Sequence, residues 1–355
     1  MLWSERADAA QEALRRHYWN PDISMFNIET PCPNGDCNTI FHYWWMAHAA
    51  DVLVDGLLRT GEAVYGEMLA ELHDGIRRRN GGVYPNELYD DMEWMALAWL
   101  RAYEATGEEK YKETVQILWE DIKTGWNDHM GGGIAWHKSQ LAYKNTPANA
   151  PAAILAARLY RCFGSDEDLD WACNIYDWQK RSLVDPATGF VWDGMNRTGD
   201  GSIDKDWKFA YCQGVFIGAG VELWRVTGKA VFLEEVLRTA KAAKAELAAD
   251  DGVFPDEGSG DGGLFKGILV RYLAELGLAS EEAARLAVPI VAGNADVLWD
   301  AGRSAACLFG TDWRQAPEEP VSLSTQLSGV KLLERMAELE KLGFVDNDYT
   351  LNIRT

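Results

Sequence analysis

Residues 89–111 read Tyr89-Asp90-Asp91-Met92-Glu93-Trp94-Met95-Ala96-Leu97-Ala98-Trp99-Leu100-Arg101-Ala102-Tyr103-Glu104-Ala105-Thr106-Gly107-Glu108-Glu109-Lys110-Tyr111. Apolar residues recur at helical spacing as far as Ala105, and Gly107 stands where a helix C-cap takes positive φ. A second helix starts at once, with an aromatic four residues beyond the glycine. The device recurs. Tight turns stand at Arg59-Thr60-Gly61, Cys162-Phe163-Gly164, Val226-Thr227-Gly228 and Leu276-Gly277, and the aromatic returns as Gly61/Tyr65 and Gly228/Phe232. This is an internal repeat of helical hairpins.

Twelve helices are expected, near 4–18, 39–58, 61–79, 90–106, 107–124, 146–163, 166–184, 211–227, 229–248, 261–276, 280–300 and 322–341. The connections between hairpins are long and rich in Gly, Asp, Asn, Pro and Trp: about 19–38, 80–89, 125–145, 185–210, 249–260 and 301–321. Antiparallel neighbours put every long connection at one end. The expected fold class is all-α, an (α/α)6 barrel of six hairpins formed by residues 1–355 as a single domain. The even-numbered helices form its inner ring. Ala96/Ala98, Ala152/Ala153/Ala156/Ala157 and Gly214/Gly218/Gly220 would let inner helices approach closely. Gly133-Ile134-Ala135-Trp136, Phe190-Val191-Trp192 and Gly252-Val253-Phe254 are read as small ribbons inside the loops. Functional residues are expected on the long-loop face.

The chain has 355 residues, with Lys+Arg 34 against Asp+Glu 55 and a net charge of −21. Nucleic acid and anionic membrane surfaces repel such a field. Trp 16, Tyr 13 and Phe 11 exceed what a helical core needs. The excess points to flat stacking surfaces for sugar rings or bases, and the charge removes bases. No uninterrupted apolar run approaches the roughly 18 residues of a membrane span. Met1 to Arg16 carries Glu5, Arg6, Asp8, Glu12, Arg15 and Arg16, which is no signal peptide. The expectation is a monomeric chain that is cytoplasmic, or secreted if the chain is a processed form. Cys32 and Cys37, in CPNGDC, could pair or hold a metal, although cytosolic thiols stay reduced. Cys162, Cys173, Cys212 and Cys307 are expected in the core.

Asp90-Asp91 opens the fourth helix after a long loop. An N-cap acid with a second acid favoured by the helix dipole would account for both. Their place at the mouth of an inner helix supports a second reading. Two carboxylates suffice for glycoside hydrolysis: one attacks or activates water, the other protonates the leaving oxygen. The residues alone do not say which Asp does which.

The stretch from Tyr89 to Gly107 resembles the signature of glycoside hydrolase family 76, the α-1,6-mannanases. Trp44-Trp45-Met46-Ala47-His48, Gly131-Gly132-Gly133-Ile134-Ala135-Trp136, Lys144-Asn145 with Asn149-Ala150-Pro151-Ala152-Ala153, Tyr211-Cys212-Gln213-Gly214 and Leu264-Phe265-Lys266-Gly267 are similar to family segments in the same order. The resemblance covers about residues 40–340. It implies a retaining α-1,6-mannan hydrolase, with Asp90 as nucleophile and Asp91 as acid/base. It also implies a cleft lined by Trp44, Trp45, Trp136, Asn145, Asn149, Tyr211, Gln213, Phe265 and Lys266. Met46 and Cys212 depart from the Gln and Asn often found there, so subsites would differ. The expected partner is α-mannan or an α-1,6-manno-oligosaccharide, and no cofactor is required.

The remaining motifs are weaker. Gly258-Ser259-Gly260-Asp261-Gly262-Gly263 fits G-x-G-x-x-G but lies outside any βαβ unit, so no dinucleotide site is expected. Asp200, Asp204 and Asp206 resemble a calcium loop, yet Tyr211 stands where the twelfth-position Glu belongs. The six histidines, His17, His42, His48, His73, His129 and His137, form no zinc pattern. Rival readings are a transglycosylase using the same intermediate, another (α/α)6 sugar enzyme, and a non-catalytic mannan-binding protein. The last would keep the aromatics without needing two adjacent carboxylates.

Overall fold

The turns that define the hairpins form as their glycines require. Gly61, Gly107, Gly164 and Gly228 have φ between 67° and 74°, and each amide donates to the carbonyl four residues back at 2.8 Å. The aromatic beyond the turn packs back on the helix before it. In one hairpin Tyr111 stacks on Trp99 at 5.0 Å; in another the Tyr65 ring fills the space beside Gly56. Gly277 differs from the expectation: it ends its helix without positive φ. A side chain there would press Val288, so close packing accounts for it.

This computed structural model describes residues 1–32 and 37–345. Its helices are α1 (Trp3–Tyr18), α2 (Tyr43–Thr60), α3 (Ala63–Arg79), α4 (Tyr89–Thr106), α5 (Glu109–Lys123), α6 (Ala150–Phe163), α7 (Asp166–Leu183), α8 (Ala210–Thr227), α9 (Ala230–Leu247), α10 (Gly262–Gly277), α11 (Glu281–Asp300) and α12 (Leu323–Lys341). Every expected segment is a helix, so the all-α reading holds. Two begin late. Residues 39–42 precede α2 as irregular chain, and Thr146–Ala148 forms a 3-10 turn capped by the Asn145 side chain. Pro147 and Pro151 explain the second case: prolines fit a first turn and disrupt a continuous helix. No described helix is long and apolar enough to cross a membrane.

Three two-residue ladders stitch the loops: β1 (Trp19–Asn20) with β2 (Met25–Phe26), β3 (Glu29–Thr30) with β6 (Val321–Ser322), and β4 (Lys144–Asn145) with β5 (Gly194–Met195). The ribbons expected at 133–136 and 190–192 reduce to isolated bridges, and 252–254 forms none. What holds these segments is a side-chain amide. Asn149 accepts from the Ile134 amide and donates to its carbonyl. Gln213 does the same to Val191. Asn294 accepts from Phe254 and donates to Gly252. Gln326 accepts from Phe309 and donates to Cys307. All four amides are buried, and so are Ile134, Val191, Phe254 and Phe309. A loop backbone entering the core must find partners for its N–H and C=O. Here one side chain supplies both.

The chain forms two compact units. One comprises Met1–Val83, Arg101–Glu108 and the chain from Ala248 onward; the other comprises Tyr84–Leu100 and Glu109–Leu247. In the second unit α6 packs against α7 and α8, and α8 against α9. In the first, α12 packs against α10, α1 and α2. At its centre Asp51 and Asp55 of α2 gather Arg101, Arg271, Lys331 and Arg335. Both carboxyls stay below the ordinary range: burial opposes ionisation, but the surrounding guanidinium groups, Arg271 foremost, outweigh it. Lys331 is pushed down to about 7 by burial and by Arg271.

Cys32 and Cys37 are joined in a disulfide, with Cα atoms 5.6 Å apart. Cys212 and Cys307 are buried as expected, whereas Cys162 and Cys173 are only half-buried.

Removing a clamp should strand two buried backbone groups. Gln213→Leu and Gln326→Leu should each lower unfolding stability by about 2–6 kcal/mol, from about 1–3 kcal/mol per orphaned group. Urea titration checks this; a loss under 0.5 kcal/mol would show that the loops find other partners.

Candidate active site

Because α4 starts at Tyr89, Asp90 and Asp91 fall in its first turn, where free amides and the helix dipole favour anions. Asp90 Oδ1 accepts from the Asp91 amide at 3.0 Å, and Asp90 Oδ2 accepts from the Trp136 indole at 3.1 Å. Asp91 Oδ2 accepts from Asn86 Nδ2 at 3.2 Å, while Asn86 Oδ1 fixes the loop by accepting from Leu88. Asp90 is half-buried and Asp91 buried.

Trp136 reaches Asp90 because its loop is tied on both sides. Tyr89 N–H donates to its carbonyl, its own N–H donates to Tyr143, and the Lys138 amide donates to Glu87. Asn149 holds Ile134 two residues earlier. Lys144, fully buried, donates to the Gly133 carbonyl at 2.6 Å; burial alone pushes its amine down to about 7. Gly132 and Gly133 have positive φ, and a Cβ at Gly133 would stand 2.7 Å from the Trp178 ring.

Glu93 and Asp193 are further buried acids of this unit. Glu93, one turn beyond Asp90, is fully buried; burial and the Asp90 charge push its carboxyl well above the ordinary range. Asp193 accepts from Tyr211 at 3.2 Å and from the Cys212 thiol at 3.5 Å. Burial outweighs these donors and raises Asp193 to about 6. Tyr211, half-buried, is in turn pushed up by burial and by the charges of Asp193 and Asp90.

The expected residues separate by what their polar atoms already do. Asn149 and Gln213 are fully buried, with their amides committed to the loops. Asn145 spends its carbonyl on the Ala148 amide. In the other unit Trp44 and Trp45 both donate their indole N–H to Asp261 Oδ1, each at 3.0 Å. Trp45 is buried and stacks on His42 at 3.8 Å; Trp44 is half-buried, with Phe265 6.5 Å away. Lys266 is buried over the Trp313 ring and donates to the carbonyls of Pro255 and Thr311, which ties two loops; burial lowers it to about 8. The sequence reading gave Asp193, Asp261, Glu93 and His42 no role in a site. Among the described residues no group of three or more His, Cys, Asp or Glu side chains could hold a metal ion.

Residues 2–346 match the model of the glycosyl hydrolase family 76. The chain is similar to the α-1,6-mannanase of Salegentibacter sp. HEL1_6, at 42% identity and a TM-score of 0.91 over 95% of this chain and 100% of that one. A variant of that enzyme, inactive through Asp-to-Asn changes at two consecutive positions, is solved in complex with α-1,6-mannotriose; it matches at a TM-score of 0.90 and 42% identity, covering 95% and 100% of the two chains. A putative mannan endo-1,6-α-mannosidase of Schizosaccharomyces pombe is 26% identical over 76% of this chain. The chain spans 65% of the length of that curated relative.

Asp193 supplies a pH prediction. Its folded-state proton affinity exceeds that of the unfolded chain, so the native state binds the extra proton between about pH 4 and about pH 6. Its contribution to stability is present at low pH and is lost as pH rises through that window. Asp193→Asn should flatten this part of the Tm-against-pH curve between pH 4 and 6.5; an unchanged slope would place the titration elsewhere.

Proposed function

The chain belongs to glycosyl hydrolase family 76 and is a glycoside hydrolase, and we propose that it cleaves α-1,6-mannosidic linkages by double displacement through Asp90 and Asp91. The observation that carries the reading is the pair itself. Two adjacent carboxylates open an inner helix, and each meets a different donor: an indole for Asp90, an amide for Asp91. The two consecutive aspartates changed in the inactive Salegentibacter variant support it. So does the mannotriose bound there.

Asp90, oriented by donors on both oxygens, attacks the anomeric carbon. Asp91 passes its proton to the glycosidic oxygen, the C–O bond breaks, and a mannosyl ester of Asp90 forms. Asp91, now ionised, takes a proton from water as that water attacks the anomeric carbon, and Asp90 leaves as carboxylate. Trp136 and Tyr211, in the same unit as the pair, offer rings for the apolar face of mannose. Each such face contributes on the order of 1–2 kcal/mol, from area removed from water. Asn145 keeps an amide nitrogen for a sugar hydroxyl. The acting form is a single chain meeting α-mannan or its oligosaccharides. With Cys32 joined to Cys37, the proposed setting is an oxidising one, where such bonds persist, in place of the cytoplasm.

Asp90→Asn and Asp91→Asn should each lower turnover on unbranched α-1,6-mannan by at least a thousandfold while the melting temperature moves by only a few degrees. A mannoside with a good leaving group should partly restore Asp91→Asn alone, because such a leaving group needs no proton. Wild-type turnover in either variant would remove the pair from the chemistry. Stereochemistry is tested separately: proton NMR at early times should show α-mannose product first, and β-product first would replace double displacement by inversion.

A further inference from the structure

We propose that Trp207 is the platform of an outer subsite for a hexopyranose unit of the glycan chain, beyond the rings beside the aspartate pair, so that the enzyme favours long oligosaccharides over short ones. The inference rests on the mannan reading and adds a length preference to it. Trp207, Phe209, Tyr211 and the pair all belong to the second unit.

The sequence Trp207-Lys208-Phe209-Ala210-Tyr211 places an aromatic at every second position. In extended chain, alternate side chains share a face. Phe209 precedes α8 with φ −96° and ψ 138°, which is extended backbone. The rings follow one another accordingly: the centroids of Trp207 and Phe209 are 5.9 Å apart, those of Phe209 and Tyr211 6.0 Å. Lys208 turns the other way, where its amine donates to Glu246 of α9 at 2.9 Å and lies 5.7 Å from the centre of the Phe190 ring. Tyr211, at the inner end, is near enough to Asp90 to be shifted by its charge. Burial falls outward along the strip: Phe209 and Tyr211 are half-buried, and Trp207 is 40% exposed. A strip of rings that leads from solvent toward the pair suits a chain of linked pyranoses, because each unit offers an apolar face.

Folding does not ask for an indole at this place. Among the described residues no other tryptophan is exposed, and leaving this one in water forfeits the stabilisation its burial would bring. The ring is nevertheless held. The Arg197 guanidinium lies 4.3 Å from its centre, and Arg197 donates to both Asp204 oxygens at 3.1–3.3 Å. The Trp207 amide donates to the Asp204 carbonyl at 3.4 Å, and the Asp204 amide to the Gly194 carbonyl of β5 at 2.8 Å. The acids that resembled a calcium loop thus find another use, since Asp204 fixes the residue that backs the ring. An aromatic already held in one orientation loses little freedom when a ligand stacks on it. The guanidinium and carboxylate at its side supply a donor and an acceptor for hydroxyls.

The test uses the full chain. In an Asp90→Asn background, calorimetric titration compares α-1,6-mannohexaose with α-1,6-mannotriose. The parent should bind the hexaose at least tenfold more tightly. Trp207→Ala should lower that ratio about tenfold, the contribution of one ring face removed from water. Trp207→Leu, which keeps apolar bulk without a flat face, should lower it as far; Trp207→Phe, which keeps a ring, only about threefold. In the active enzyme, Trp207→Ala should raise KM for unbranched α-1,6-mannan about tenfold with kcat reduced less than threefold. The exposed position predicts unchanged folding, and the Leu variant carries the test should Ala not fold. A parent that binds both oligosaccharides alike would overturn the proposal, as would a ratio in the Ala or Leu variant within twofold of the parent's, or a loss confined to kcat. A parent that binds neither oligosaccharide would reject the mannan reading, and this inference with it.

Discussion

The side-chain amide clamp is the interaction on which the loops depend. Irregular chain that enters a helical core carries N–H and C=O groups that no helix or sheet satisfies, and burying them bare is prohibitive. Asn149, Gln213, Asn294 and Gln326 each answer with a carbonyl and an amide on one side chain. The clamped residues Ile134, Val191, Phe254 and Phe309 can then be fully apolar and plug the core. Trp136 is held by the same device. Its place beside Asp90 follows from the clamp on Ile134, the tie to Tyr89 and the glycines under Trp178.

Charge on the first turns of α4 is rationed by burial. Asp90 stands half-open and takes donors on both oxygens. Glu93, one turn deeper, is raised by burial first and by the Asp90 charge second. Burial, with the Asp90 anion beside it, therefore disfavours a second charge there. Asp193, bonded to Tyr211 and Cys212, responds in the same direction for the same leading reason.

Local chemistry made the hairpins legible, because a positive-φ glycine and the aromatic after it act within one turn of their own helix. Gly277 was misread since a glycine kept for close packing against Val288 looks identical in sequence to a cap. The start of α6 shifted because Pro147, Pro151 and the cap at Asn145 act against a helical periodicity that continues through them. The Asp pair and Trp136 could be singled out, but not their bond, which joins residues 46 apart. Asn149 and Gln213 stood out as polar residues at inner-helix mouths, where a sugar and a loop backbone ask for the same amide. Their partners lie 15 and 22 residues away. Asp193 gave no signal, being a single acid in a loop with no period, and Asp261 was read only as part of a glycine-rich stretch.

The charged centre under α2 has an evolutionary corollary. Asp55 meets Arg101, Arg271 and Arg335, and Asp51 meets Arg101, Arg271 and Lys331, nearly all of it out of water. Losing one partner strands the charges it served, at roughly 3–5 kcal/mol, whereas exchanging a whole set for apolar side chains can be neutral. Drift at these six positions is therefore gated: each is immobile while the others stay, and an apolar version of this centre is reached only by several replacements arriving together.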